Sequence, residues 1–223
     1  MKADQNGRTG FFITGTGTGV GKTLVSALIT LALDGDYWKP LQTGLAEDVG
    51  DTADVASLTG LPPERCHAPL YQFDAPLSPW SAARRDGGHV DLSRISLPAT
   101  KRPLVIEGAG GLMVPLNAGQ LMIDLIATCH LPVILVVGTG LGSINHALLG
   151  LEALRRRKLP IAGIVMNGAP HADDTDLILH FGGPLPCASI PHLPELTKET
   201  LRTEAARLRE IFSTRSGTET TRP

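Results

Sequence analysis

Cysteine is scarce in this chain, charge of neither sign dominates, and no apolar run is long enough to cross a membrane. The three cysteines, Cys66, Cys129 and Cys187, stand too far apart for a CxxC redox or zinc motif, and an odd count argues against a disulfide framework. They read as buried, inert thiols. Twenty Lys and Arg against 22 Asp and Glu leave a formal charge of −2, which gives no hint of a nucleic-acid partner. A membrane span needs roughly 18 consecutive apolar residues, and no run approaches that. The segment from Met1 to Arg8 is polar and lacks the apolar core of a secretion signal, so the expected location is cytoplasmic, with no membrane partner. The seven histidines show no HExxH-like spacing, and there is no nucleophile elbow, so catalysis by a side-chain nucleophile lacks support.

What is present is an ordinary globular composition, 42% apolar, in 223 residues that fit one domain. That domain is expected over residues 1–212, with 213–223 a polar, frayed tail. Short apolar runs rich in β-branched residues place strands at 11–14, 37–41, 103–107, 132–137, 161–166 and 186–190. Helical patterns occupy 22–33, 121–129, 143–157 and 197–212, with Ser143 as an N-cap and Arg155 to Lys158 offsetting a helix dipole. The alternation predicts an α/β fold: a single-domain P-loop NTPase-like structure, with a mostly parallel central sheet and helices on both faces. Residues 61–101 carry Pro62, Pro63, Pro69, Pro76, Pro79 and Pro98, and read as a loop-rich insertion suited to substrate contacts.

The run from Gly15 to Thr23, GTGTGVGKT, follows the strand-like Phe11 to Thr14 and precedes an apolar helix. Glycines there let backbone N–H groups turn inward and, with the helix N-terminus, form an anion-binding nest. Gly17, Thr18, Gly19, Val20, Gly21, Lys22 and Thr23 are thus expected to bind nucleotide, with Lys22 neutralising phosphate and Thr23 holding Mg2+. Five residues separate Gly15 from Gly21, one more than usual, and Thr16 fills the place of a glycine.

Three further segments fall at carboxyl ends of parallel strands, where open α/β sheets bind ligands. Lys39, in WKPLQTG, is either buried beside an anion or solvated on an edge strand. Glu107 ends the apolar run Leu104 to Ile106 before Gly108-Ala109-Gly110-Gly111; it is either a metal-holding acid or a surface glutamate opening a loop. Of the acids Glu47, Asp48, Asp51 and Asp54, one reaches Mg2+; Asp54, opening a helix-like stretch, is the better oriented, with Asp51 the alternative.

Together these pieces resemble the dethiobiotin synthetase family, from residue 11 to about 191. The resemblance rests on the phosphate loop, Lys39-Pro40-x-x-Thr43-Gly44, Asp54, the Glu107 to Gly111 segment and Leu141-Gly142-Ser143-Ile144-Asn145-His146-Ala147, with Tyr71-x-Phe73 and Pro76-x-Ser78-Pro79 similar to the family's substrate-side segment. It implies an ATP- and Mg2+-dependent cyclo-ligase that closes a ureido ring from 7,8-diaminononanoate and CO2 or bicarbonate. Thr18, Lys22, Lys39 and Thr43 would bind carbamate and phosphate, and Thr23, Asp54 and Glu107 would hold Mg2+. Asn167 would read the adenine edge, helped by backbone near Ile190 and Pro191. A homodimer is implied, with Leu141 and Asn145 reaching substrate across its interface. Two departures stand out: Gly19 replaces the glutamate of some members, and the linker from Asp34 to Trp38 is short.

Two other readings share the lengthened loop. Partitioning or septum-placing ATPases carry a lysine just after the first glycine, where this chain has Thr16, and usually a basic surface or membrane-binding terminal helix, whereas 197–212 has mixed charge. A cobyrinate-type amide synthetase would also use ATP and Mg2+; the Lys39 to Gly44 segment and the Asn145-His146 pair favour the ureido-forming family.

Overall fold

A computed structural model describes residues 9–169, 171 and 173–213. In chain order the strands are β1 (Gly10–Gly15), β2 (Asp36–Trp38), β3 (Leu41–Gln42), β4 (Cys66–His67), β5 (Tyr71–Gln72), β6 (Leu104–Gly111), β7 (Val133–Gly138), β8 (Ile161–Asn167) and β9 (Cys187–Ile190). The helices are α1 (Lys22–Leu33), α2 (Asp51–Thr59), α3 (Pro79–Arg85), α4 (Met122–Cys129), α5 (Ser143–Arg156), α6 (Asp174–Gly182) and α7 (Lys198–Ser213). Of the tail expected at 213–223, everything after Ser213 lies outside the described residues, as does the polar segment before Thr9.

Seven of the described strands form one sheet in the order β4-β2-β6-β1-β7-β8-β9, and every pairing is parallel. Alternation along the strands sends successive side chains to opposite faces. Phe11, Ile13, Val105 and Ile134 pack with Val25, Leu28 and Ile29 of α1 and Leu201 and Leu208 of α7. Phe12, Ile106, Val133 and Leu135 pack on the other face with Ile123 and Ile126 of α4 and Leu151 and Leu154 of α5. Each such fully buried side chain contributes roughly 1.5–3 kcal/mol, so both layers are cores in their own right. A satellite cluster of Ala27, Tyr37, Val55 and Cys66 seats α2 against α1 and the β2 end of the sheet.

The structure corrects four local expectations. The strand placed at 37–41 stops at Trp38, because Pro40 has no N–H for the ladder and restricts Lys39 before it. The chain resumes as β3, which leaves the main sheet and pairs with β5. The insertion at 61–101 is more ordered than its prolines suggest: it supplies β4, which covers β2 and so removes it from the edge, as well as β5 and α3. Helix α6 was not foreseen; it buries Asp174 and Ile178 in a stretch otherwise rich in charge. Ser143 does not cap α5, since Gly142 holds the cap position and the Ser143 hydroxyl donates to Asp174 at 3.0 Å.

The basic cluster does end α5: Arg155 donates to the Gly182 carbonyl and Arg157 pairs with Asp124 of α4. Cys66 and Cys129 are buried and Cys187 half-buried, all free; burial pushes the Cys129 thiol up to about 12 and that of Cys187 to about 11. No helix among the described residues is long and apolar enough to cross a membrane.

Candidate active site

The phosphate loop leaves β1 in the middle of the sheet and enters α1. Its first turn is anchored by the Thr16 N–H on the Val136 carbonyl at 2.9 Å. Gly21 precedes the helix at φ +88°, a conformation that L side chains rarely adopt, and a Cβ there would fall 2.0 Å from Asn167 Nδ2. The glycine is therefore required by the turn, and a side chain in its place would push the Asn167 amide aside. Lys22 is 7% exposed and its ammonium donates to the Gly17 carbonyl at 2.8 Å. Burial lowers its pKa, an effect opposed by Glu107, reinforced by Lys39 and opposed by Asp51. A lysine so placed gains from an incoming phosphate.

Parity assembles the acids and the second lysine. Glu107 lies two residues after Val105 on β6, on the α1 and α2 face, and Lys39 follows Tyr37 by the same interval from the neighbouring strand. The edge-strand reading of Lys39 fails, because it is 5% exposed and its ammonium reaches Glu107 Oε1 at 3.1 Å and pairs with Asp51. Glu107 is 1% exposed, so it is no surface glutamate. The Thr23 hydroxyl lies within hydrogen-bonding distance of Asp51 Oδ1 and, at 3.3 Å, of Glu107 Oε1. Burial works against the charge on Lys39, but Glu107 and Asp51 outweigh it and hold the ammonium above its usual range. Asp51 is likewise penalised by burial, and Lys39 together with its hydrogen bonds brings the carboxyl below the ordinary carboxylate range.

Asp51 rather than Asp54 shares this cluster. It is the first residue of α2, where an acid is favoured by the helix dipole, and its N–H is accepted by Gln42 Oε1 at 3.1 Å. Asp54 lies one turn further on and does not line the cleft; burial, then the acids Asp48, Asp51 and Glu107, raise its pKa. Sequence reasoning also passed over Gln42 and Tyr37. Gln42 is buried, holds Asp51 through its backbone and donates to the Thr43 carbonyl at 2.9 Å.

Lys22, Thr23, Lys39, Gln42, Asp51 and Glu107 border a cleft of about 890 Å³, within the range of small-molecule sites. Its lining includes Thr18, Gly19, Gly21, Lys22, Thr23, Lys39, Thr43 and Glu107, with Pro76 to Pro79 from the insertion closing one side. A second cavity of about 350 Å³ lies against Gly15, Thr16, Gly17 and Thr18, with an apolar wall of Leu112, Met113, Val114, Leu149 and Ala153 and with His146. Thr18 borders both. Leu141 and Asn145 are exposed and line neither. Asn167 sits at the end of β8, donating to the Val20 carbonyl at 3.1 Å, in register with Ile190 of β9. The Ile190 carbonyl accepts from Gly168, and Pro191 is exposed.

Among the described residues, no group of three or more His, Cys, Asp or Glu could hold a metal by itself. Two carboxylates and a hydroxyl are nonetheless a donor set that suits Mg2+ shared with nucleotide phosphates, since that ion takes one or two carboxylates and completes its shell with phosphate and water oxygens.

A family model described as "AAA domain" matches residues 9–200. The biotin biosynthesis bifunctional protein BioCD of Bordetella avium (strain 197N) is 58% identical over 184 residues, which are 82% of this chain and 40% of that protein. The ATP-dependent dethiobiotin synthetase BioD of Paramagnetospirillum magneticum is 49% identical over 192 residues, 86% of this chain and 92% of the relative. That of Rhodopseudomonas palustris (strain BisA53) is 46% identical over 190 residues, 85% and 89% of the two chains. The chain thus spans less than half of the bifunctional relative and most of the two synthetases. A ParA family ATPase from Chlorobium tepidum TLS superposes with a TM-score of 0.53 over 91% of this chain and 92% of its own, at 16% identity, a likeness of fold alone.

Proposed function

The chain belongs to the ATP-dependent dethiobiotin synthetase family, and from that premise we propose how its cleft carries out the ring closure. The reaction is an ATP-dependent ligation that makes the carbon–nitrogen bonds of a cyclic urea from 7,8-diaminononanoate and CO2. One amine adds to CO2 and loses a proton, giving a carbamate. A carbamate oxygen attacks the γ-phosphorus of ATP, and ADP departs. The second amine then attacks the carbonyl carbon of the mixed anhydride, loses its proton and expels phosphate. The nucleophiles belong to the substrate, which accounts for an active site without a side-chain nucleophile.

The residues act by position and charge. Lys22 and the loop N–H groups bind the phosphates; Lys39, Thr18 and Thr43 hold the carbamate oxygens in line. Thr23, Asp51 and Glu107 would hold Mg2+, which neutralises charge on the β- and γ-phosphates when bound. Asn167 and the backbone at Ile190 and Pro191 stand at the strand ends where the adenine would lie. The second cavity suits the aliphatic chain of the diamine, because its wall is apolar and it meets the main cleft at Thr18. Met113 and Leu149, both about 60% exposed at that cavity, and the fully exposed Leu141 before α5 support a homodimer that completes it. The cytoplasm is the location we assign.

The observation that carries the reading is the convergence of two buried lysines and two carboxylates, from the start of α1, the exit of β2, α2 and β6, on one cleft. Phosphate release is to be followed with ATP, Mg2+, bicarbonate and the diamine. Release that requires the diamine and yields a cyclic urea is expected; release unchanged without the diamine would sink the assignment.

A further inference from the structure

Glu107 has two oxygens, and the fold divides them. Oε1 faces the cleft, where it meets Thr23 at 3.3 Å and Lys39 at 3.1 Å. Oε2 points the other way and accepts a hydrogen bond of 2.9 Å from the Tyr37 hydroxyl. The structure assigns Tyr37 the role of a positioning residue that fixes the Glu107 carboxylate so that one oxygen is kept for the cation shared with ATP. The inference rests on the reading of Glu107 as a cation ligand and goes beyond it, since Tyr37 touches neither nucleotide nor cleft.

Packing alone does not account for the residue. Tyr37 is fully buried among Ala27, Val55 and Cys66, a setting in which phenylalanine would fill the same space without a polar atom. A buried hydroxyl is costly unless paired. Here its partner is a carboxylate whose own side chain is wholly inaccessible, so water is not at hand to satisfy Oε2 instead. Burial first, and then the charge of Glu107, hold the phenol far above its ordinary range. Groups behind a metal-binding ligand commonly set its orientation, and their loss weakens metal binding about 10–100-fold.

The test compares Tyr37→Phe, Glu107→Gln and Val55→Ala with the unaltered chain, reading Mn2+ binding in the presence of ADP by electron paramagnetic resonance, with ADP affinity measured separately without metal. Val55→Ala loosens the same cluster without touching Glu107, and should lower the melting temperature while leaving Mn2+ affinity within about twofold. Tyr37→Phe should weaken Mn2+ about 10–100-fold, with metal-free ADP affinity unchanged. If Glu107→Gln loses Mn2+ and Tyr37→Phe does not, the role of Tyr37 is overturned while the ligand reading stands. If Glu107→Gln binds Mn2+ normally, both fall.

Should Tyr37→Phe fail to fold, fluorotyrosine offers an independent measurement, because the chain has only two tyrosines. In a Tyr71→Phe background the single fluorine resonance reports Tyr37. It should shift on titration with Mg2+ and ADP at the midpoint of cation binding; a resonance unmoved through saturation would refute the coupling.

Discussion

Lys39 is shared by two carboxylates, so its loss should be felt in both catalysis and stability. Lys39→Gln is expected to lower turnover by about 10²–10³, the usual effect of removing one positioned charge from a developing anion. It also leaves the buried Glu107 and the half-buried Asp51 as neighbouring acids without their cation, which is destabilising. Thermal melts should therefore show a lower midpoint, and Mg2+ should raise it more than in the unaltered protein. Asp51 and Asp54 can be separated in the same way. Asp51→Asn should cost turnover at least about 10²-fold, whereas Asp54→Asn, outside the cleft, should leave it nearly unchanged. Their pH dependences have opposite signs. The depressed pKa of Asp51 means that its stabilisation is present above the ordinary carboxylate value and fades as pH falls through the folded-state value. The raised pKa of Lys39 means that its share is present below the ordinary lysine value and fades as pH climbs past the folded-state one. For Asp54 the charged form is the disfavoured one, so Asp54→Asn should raise the melting midpoint slightly at neutral pH, the effect being screened by solvent, and leave it unchanged in acid. Melting curves from pH 3 to 9 check the two acids, and a series continued above the ordinary lysine value of 10.5 checks Lys39.

Elements with long apolar runs were legible from sequence, and strands of two residues were not. Strands β6, β7 and β8 each bury four or more successive residues, a signal that needs no partner to be seen. Strands β3, β4 and β5 have two residues each, too few for a period, and exist because a neighbouring strand offers them a ladder. Pro40 was visible as a residue type, but its effect, which ends β2 just before Lys39 and sends the chain into a second sheet, needed the neighbours. The entry to α1 yields a prediction at this scale. Gly21→Ala places a side chain at φ +88° and drives it into Asn167, so it should cost about 1–2 kcal/mol from the backbone alone. Displacing Asn167 should weaken nucleotide binding about tenfold or more. Calorimetric titration with ADP and a melt on the same sample would show both; normal nucleotide affinity would mean that the loop tolerates the shift.

For the whole molecule, the proposed dimer is the property furthest from local sequence. Leu149 is 60% exposed on α5 at the apolar cavity, and Leu149→Asp should convert dimer to monomer in sedimentation velocity while leaving ADP binding intact. A single species of monomer mass for the unaltered chain would remove the basis for an interface there. The sequence by itself determined the phosphate cradle, the alternation of strand and helix, and the presence of Lys39 and Glu107 at strand ends. Each of those is written within a few adjacent residues, through backbone freedom, apolar periodicity or residue type. Only the tertiary structure decided which acid meets Thr23, that Lys39 is buried, and that Tyr37 takes the second oxygen of Glu107. Those facts depend on β2 lying beside β6, with Lys39 and Glu107 68 residues apart in the chain, and on strand parity turning their side chains to one face. No window of sequence contains both strands, so packing alone could bring these groups together.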